Sequence, residues 1–269
     1  MTTNRQIVLA SYVTGAAQPE NFALSEGPIP EPGKGEFLLR NIYFSMEPAI
    51  RGWVDGKANY FEPIPIGGVV RGPSVGQVIK SRNNDFVEGD FVFALNQWED
   101  YSICNSDAIL LEKLQPEAGV PISYYVGSLG GAGATAFIGL HEVGQIQAGQ
   151  TVVVSAAAGA TGSMAGQIAK LCGCEVIGIV GSDKKAQLIV DEFGFDAAIN
   201  YKTDDITATV TALAPEGADI YFDNVGGPVL NAMLPAMKVY GRIVGCGMIS
   251  DYNRTDNPNP ITNLWEMVS

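Results

Sequence analysis

Ala157, Gly159 and Gly162 carry the first chemical signal of this chain, because they stand at the spacing of a G-x-G-x-x-G turn. The run that holds them, Thr151-Val-Val-Val-Ser-Ala-Ala-Ala-Gly-Ala-Thr-Gly-Ser-Met-Ala-Gly166, passes from β-branched residues through small ones into a helical pattern. Where side chains are missing from such a turn, backbone N–H groups, here those of Ala160 and Thr161 included, can approach a pyrophosphate at a helix N-terminus. The first of the three positions is alanine, and small residues also occur wherever a helix packs tightly on a strand. The surrounding elements decide between the two.

A second set of residues follows at the tip of the next apolar run, Val180-Gly-Ser-Asp-Lys-Lys185. A site for NAD usually places Asp or Glu about 20 residues past the glycine turn, on the ribose 2′-hydroxyl. Here Gly181 and Ser182 leave room for a 2′-phosphate, and Lys184 or Lys185 can supply its countercharge, so NADP is expected; Asp183 argues the other way. Two further stretches, Tyr221-Phe-Asp-Asn-Val-Gly-Gly227 and Gly241-Arg-Ile-Val-Gly-Cys-Gly-Met248, close strand-like runs with glycines. Their ends, with Asn224, Cys246 and Gly247, are expected at the carboxyl edge of a parallel sheet beside the nicotinamide. Tyr252 follows the second of them.

The elements that must position these residues read as an α/β arrangement in two domains, residues 1–125 and 126–269. The first half shows short strand-like runs at Gln6–Ser11, Glu36–Phe44, Val69–Val70 into Val75–Lys80, Asp90–Leu95 and Trp98–Cys104, the spacing of a small all-β barrel or sandwich. From about Pro121, strands at Thr151–Ala156, Glu175–Val180, Ala197–Tyr201, Asp219–Asp223 and Gly241–Cys246 alternate with helical patterns. Those helices are expected at Ala134–Val143, Ser163–Cys172, Lys184–Phe193, Asp204–Ala214 and Pro228–Lys238. Five βα units beginning at a glycine turn make a doubly wound parallel sheet of the Rossmann type. The sheet reads as truncated after strand five, because the final stretch, Ile261–Ser269, looks like the opening of a helix and not a sixth strand.

With 269 residues, 46% of them apolar and 17% charged, the chain can bury two cores. A net charge of −13 excludes nucleic acid as a partner, since binding there depends on Lys and Arg neutralising phosphates. Residues 118–140 are free of charge, yet six glycines and Pro121 make a poor membrane helix. Four cysteines, 104, 172, 174 and 246, form neither a C-x-x-C pair nor a secreted disulfide framework, and the N-terminus lacks signal-peptide architecture, so a cytoplasmic protein with reduced thiols is expected. No metal is expected: the only histidine, His141, sits beside Glu142 at a helix end, and no cysteine lies near Ser45.

Read together, the words Thr151–Ser163, Gly166-Gln-Ile-Ala-Lys-Leu171, Gly194-Phe-Asp-Ala-Ala-Ile-Asn-Tyr-Lys202, Tyr221–Gly227 and Cys246-Gly-Met-Ile-Ser-Asp-Tyr-Asn253 resemble the medium-chain dehydrogenase/reductase superfamily. Ser45-Met-Glu-Pro48, Arg51-Gly52, Gly89-Asp90 and Trp98 add a looser match in the first half. Within the superfamily the sequence is similar to the zinc-independent, NADP-dependent alkenal double-bond reductases and the prostaglandin and leukotriene reductases. The resemblance implies a GroES-like fold for the β-rich half. It implies reduction, without metal, of the C=C bond of an α,β-unsaturated aldehyde or ketone by hydride transfer from NADPH to the β-carbon. It further implies Ser182, Lys185 and Tyr201 at the 2′-phosphate, Asn224 near the nicotinamide, and Tyr252 as the hydroxyl that hydrogen-bonds or protonates the enolate. Tyr60 and Trp53 would line the substrate pocket. The resemblance also implies a homodimer, dependent on the tail that family members carry beyond this point. The sequence departs from the family at Glu47, Ala49 and Leu129–Ala136, where family members carry an aspartate, an aromatic residue and a Gly-Met-Pro-Gly segment. An NADPH quinone reductase and a non-catalytic NADPH-binding protein remain as alternatives.

Overall fold

The computed structural model describes residues 3–254 and 257–268; Met1 and Thr2 of the N-terminal segment and Ser269 of the final stretch lie outside them. The chain divides into two compact units, Met1–Gly127 and Ser128–Ser269. No described helix is long and apolar enough to cross a membrane.

Among the described residues, the N-terminal unit holds a two-stranded ribbon and a five-stranded antiparallel sheet. The ribbon pairs β1 (Asn4–Leu9) with β2 (Phe22–Gly27). The sheet runs in the order β6 (Tyr101–Asn105), β3 (Glu36–Phe44), β4 (Arg71–Ser81), β5 (Phe91–Gln97), β7 (Glu112–Leu114). Phe37, Leu39, Val78, Val92 and Ala94 build one apolar cluster in this unit; Leu9, Val13, Ile50, Trp53, Val54 and Val70 build another. β2 and β7 are additions to the sequence reading. β2 presents mostly exposed or half-buried residues, and β7 is three residues long, so neither has an apolar period to detect. Burial, and then the neighbouring Glu99 carboxylate, pushes the Cys104 thiol up to about 12, which makes it an inert core residue.

Among the described residues, the second unit is a five-stranded parallel sheet in the order β10 (Ala197–Asn200), β9 (Glu175–Val180), β8 (Thr151–Ser155), β11 (Ala218–Asp223), β12 (Met237–Gly245). In terms of the unit's own strands this is 3-2-1-4-5, the doubly wound order without a sixth member. The switch point falls between β8 and β11, where the strand order reverses. β8 is covered on both faces: Val152 and Val154 join one apolar cluster and Val153 the other, as the two-residue period of a strand requires. Each of these fully buried valines contributes about 1.5–3 kcal/mol.

The helices α1 (Gly131–Ile138), α2 (Ala160–Leu171), α3 (Asp183–Asp191), α4 (Ile206–Leu213) and α5 (Gly227–Met233) connect the strands. The first is continued by a single π-turn, Gly139–Val143. On α2, Gly162, Ala165, Gly166 and Ala169 form one buried face at helical spacing. A Cβ on Gly166 would fall 1.9 Å from the Phe195 ring, so the helix sits as close to its neighbours as a glycine allows. The helix expected to run to Lys238 ends at Met233, because Pro235 cannot continue it; a 3-10 turn follows and the last strand begins at Met237. The expected helical opening at the C-terminus is a short 3-10 turn, Leu264–Met267.

Candidate active site

The turn between β8 and α2 folds as its residue sizes dictate. Ala156 takes a φ of 48°, reversing the chain, and its carbonyl accepts the Gly159 N–H at 2.8 Å. A Cβ on Gly162 would lie 2.3 Å from that same carbonyl oxygen, inside any permitted contact, so the position admits only glycine. Gly159 is the N-cap of α2 and supplies no side-chain cap. The N–H groups of Ala160, Thr161 and Gly162 therefore open the helix without an intrahelical partner, beside the positive end of its dipole. That cradle fits a pyrophosphate.

Ala157, expected in the cofactor turn, is placed by its packing. Its side chain is fully buried, its N–H donates to the Ile179 carbonyl at 3.1 Å, and it packs over Gly178, where a Cβ would fall 2.9 Å from the Ala157 methyl. It packs the turn against β9.

At the tip of β9, Ser182 is the N-cap of α3, and its hydroxyl oxygen accepts the Lys185 N–H at 3.4 Å. The hydroxyl proton is left to donate outward. Among the described residues the Lys185 ammonium has no ion-pair partner. Tyr201, half exposed, lies across the same turn: a Cβ on Gly181 would come within 2.9 Å of its ring and hydroxyl. Ser182, Lys185 and Tyr201, separated in sequence, are thus brought to one place. Asp183 is turned to Asn200, whose Nδ2 donates to it at 2.7 Å.

A third group gathers at the ends of β11 and β12. Asn224 donates from its N–H to the Ser155 hydroxyl (2.9 Å) and from Nδ2 to the Ser155 carbonyl (2.7 Å), which fixes the side chain and leaves Oδ1 as an acceptor. The N–H groups of Cys246 and Gly247 donate to the Asp223 carbonyl at 2.8 and 3.0 Å. A Cβ on Gly247 would meet the Tyr252 hydroxyl at 3.1 Å and the Asn224 carbonyl at 3.2 Å, so those groups close around the glycine. The Tyr252 hydroxyl accepts the Met248 N–H at 3.3 Å and keeps its own proton to donate. Asp223 escaped the sequence reading: its buried carboxylate accepts from the Tyr221 hydroxyl (2.7 Å), the Gly226 and Val225 N–H groups (2.9 and 3.0 Å) and the Ser155 hydroxyl (3.2 Å).

The two expected pocket residues lie in the N-terminal unit and differ from each other. Tyr60 is 71% exposed, whereas Trp53 is 3% exposed and belongs to the apolar core, edge-on to Tyr60 and Phe61. Trp53 supports Tyr60 and presents no surface of its own, because its ring fills the space between Ile50, Val54 and Val70. No three His, Cys, Asp or Glu side chains among the described residues are grouped to hold a metal ion. The His141 Nδ1–H donates to the Phe137 carbonyl (3.0 Å), and the ring stacks on the Phe137 ring.

Two family descriptions match the chain: an N-terminal domain of oxidoreductases over residues 5–111, and a zinc-binding dehydrogenase domain over residues 160–267. An NADPH-dependent curcumin reductase of Escherichia coli is 41% identical over 95% of this chain and 73% of its own length. A 2-alkenal reductase (NADP(+)-dependent) of Nicotiana tabacum is 41% identical over 99% of this chain and 78% of its own. The crystal structure of CurA from Vibrio vulnificus in complex with NADPH superimposes with a TM-score of 0.89 at 42% identity, covering 98% of this chain and 77% of that one. Whole-chain identity at this level, ordered through both units, shows that the chain belongs to the medium-chain dehydrogenase/reductase superfamily, in the zinc-independent group that holds these reductases.

Proposed function

We propose that the chain reduces the C=C bond of α,β-unsaturated aldehydes and ketones with NADPH, in a cytoplasmic setting that keeps its four thiols reduced. The observation that carries this reading is the convergence of three groups on the carboxyl edge of one parallel sheet: an uncapped helix N-terminus, a cationic turn with a serine hydroxyl and a tyrosine, and an amide–hydroxyl pair. The relatives named above are an NADPH-dependent curcumin reductase and an NADP(+)-dependent 2-alkenal reductase, which supports a reaction of the same class for this chain.

NADPH, when bound, supplies the hydride. The chain's own residues do the rest. The N–H groups of Ala160, Thr161 and Gly162 hold the pyrophosphate, while Ser182, Lys185 and Tyr201 hold the 2′-phosphate by charge-assisted hydrogen bonds. Asn224, clamped on Ser155, offers Oδ1 to a carboxamide N–H and so orients the reacting ring. Cys246 and Gly247 form the wall beside it, with no side chain at Gly247 to obstruct approach. The Tyr252 O–H is the donor that meets the enolate oxygen as negative charge develops there. One oriented hydroxyl suffices for an enolate. Within the N-terminal unit, Tyr60, exposed and edge-on to Trp53, is the aromatic side chain suited to an apolar ligand.

The deciding experiment is NADPH oxidation followed with a trans-enone, a 2-alkenal and a quinone in parallel, each repeated with NADH. Oxidation with enone or alkenal and NADPH is expected; activity confined to the quinone, or cofactor binding without oxidation, would replace this reading. Tyr252→Phe is expected to lower turnover about tenfold, the worth of one hydrogen bond to a charged oxygen when water can substitute. NADPH affinity should stay unchanged; unaltered turnover removes Tyr252 from the reaction. Lys185→Ala is expected to weaken NADPH binding about tenfold and leave NADH binding as it was. Equal loss for both cofactors in a fluorescence titration would place Lys185 away from the 2′-phosphate.

A further inference from the structure

We infer that Asn200 sets cofactor specificity by holding the Asp183 carboxylate away from the adenosine end of the site; this rests on the reading that the site binds NADPH. Asp183 is the first residue of α3, next to Ser182 and two residues before Lys185. An acidic residue at the tip of the second strand hydrogen-bonds a ribose 2′-hydroxyl and repels a 2′-phosphate, so free in this place it would favour the wrong cofactor. Its Oδ1 is instead bonded to Asn200 Nδ2 at 2.7 Å.

Asn200 is suited to the task because it cannot turn. It ends β10, is 7% exposed, and its backbone N–H donates to the Asp204 carboxylate at 2.8 Å. Its Oδ1 accepts the Lys202 N–H at 3.3 Å while its carbonyl accepts the N–H groups of Thr203 and Asp204, each at 2.9 Å. Flipping the amide would set Oδ1 against the Asp183 carboxylate and Nδ2 against the Lys202 N–H, two repulsions in exchange for two bonds. The neighbouring Asp204 carboxylate is likewise occupied, by the Asn200 N–H and the Thr203 hydroxyl. Asn200 thereby ties the first turn of α3 to the end of β10, one residue before Tyr201, whose ring covers Gly181. Ser182, Lys185 and Tyr201 remain for the phosphate. Asp183 keeps its favourable place at the start of the helix with its Oδ1 tied to Asn200.

The test is a fluorescence titration of the 269-residue chain with NADPH and with NADH, repeated for Asn200→Ala, Asp183→Ser and the double variant. The ratio of NADPH to NADH affinity is expected to fall about three- to tenfold in Asn200→Ala, as the released carboxylate swings toward the phosphate. In the double variant the ratio should return to the wild-type value, because no charge is left to release. An unchanged ratio in Asn200→Ala overturns the inference. So does a fall that persists in the double variant, which would mark loss of local structure and not a freed charge. A wild-type chain that does not prefer NADPH overturns the cofactor reading itself, independently of either variant.

Discussion

Gly162→Ala should weaken NADPH binding more than about 100-fold, a loss of about 2.7 kcal/mol, and should also lower thermal stability. The new methyl would stand 2.3 Å from the Ala156 carbonyl oxygen and 2.9 Å from its carbon. Both atoms are backbone, so no side chain can swing aside. Relief must come from moving α2 away or from opening the turn at Ala156, whose φ of 48° has little room to change. Either motion displaces the Ala160, Thr161 and Gly162 N–H groups together, and overpacking of this kind costs about 1–3 kcal/mol before any ligand is added. Gly159→Ala is the graded comparison: its Cβ would lie 3.0 Å from the same oxygen, and its extended backbone suits any residue, so a milder loss is expected. Ser163→Ala, which removes only a hydroxyl bonded to the Ala160 carbonyl, is the neutral control. Calorimetric or fluorescence titration of the three variants checks the order. Wild-type affinity in Gly162→Ala would mean that the pyrophosphate is bound elsewhere.

The same turn illustrates what a sequence can and cannot disclose. The spacing of Ala157, Gly159 and Gly162 marks a tight strand–helix junction, and Val152, Val153 and Val154, buried on both faces, announce a central parallel strand. Glu175–Val180 reads as a strand for the same reason. Smallness alone does not tell which side of the turn a residue serves: Gly162 is small because a carbonyl lies above it, Ala157 because Gly178 and the core lie below. Trp53 posed the equivalent ambiguity, since an indole suits a pocket wall and a core equally, and only its 3% exposure separates them.

Charge is legible by sign and position, but its partner is not. Asp183 reads as an argument for NAD until Asn200, seventeen residues later at the end of β10, is seen to hold it. Asp223 was invisible as a participant because nothing local to Tyr221–Gly227 indicates that Ser155, sixty-eight residues earlier, points a hydroxyl at it. Such residues are found through the parallel pairing of β11 with β8, which sets Phe222 opposite Val154 and so brings Asp223 beside Ser155.

Asp223→Ala should destabilise the C-terminal unit by about 2–6 kcal/mol and lower turnover with it, the cost of leaving buried donors without their acceptor. Four donors converge on one carboxylate oxygen. The Ser155 hydroxyl can rotate to another acceptor, whereas the Val225 and Gly226 N–H groups are fixed by the loop, so the backbone pair sets most of the cost. The Tyr221 phenol is fully buried; burial, and then the Asp223 charge, holds its pKa well above the ordinary value, and it remains a donor that loses its carboxylate acceptor. Asn224 follows Asp223 directly, and Cys246 and Gly247 hang from the Asp223 carbonyl, so the seat for the reacting ring loosens from both strands at once. Asp223→Asn, which retains an acceptor oxygen without its charge, should recover most of the stability. A two-unit chain does not unfold as one transition, so the appropriate readout is amide hydrogen exchange. Val225 and Gly226 should lose protection in Asp223→Ala while β9 keeps its own, and Ile220→Val, a one-methylene change in the same strand, should cost only about 0.5–1.5 kcal/mol. Undiminished protection at Val225 and Gly226 would show that the loop is held by its backbone path and not by the carboxylate.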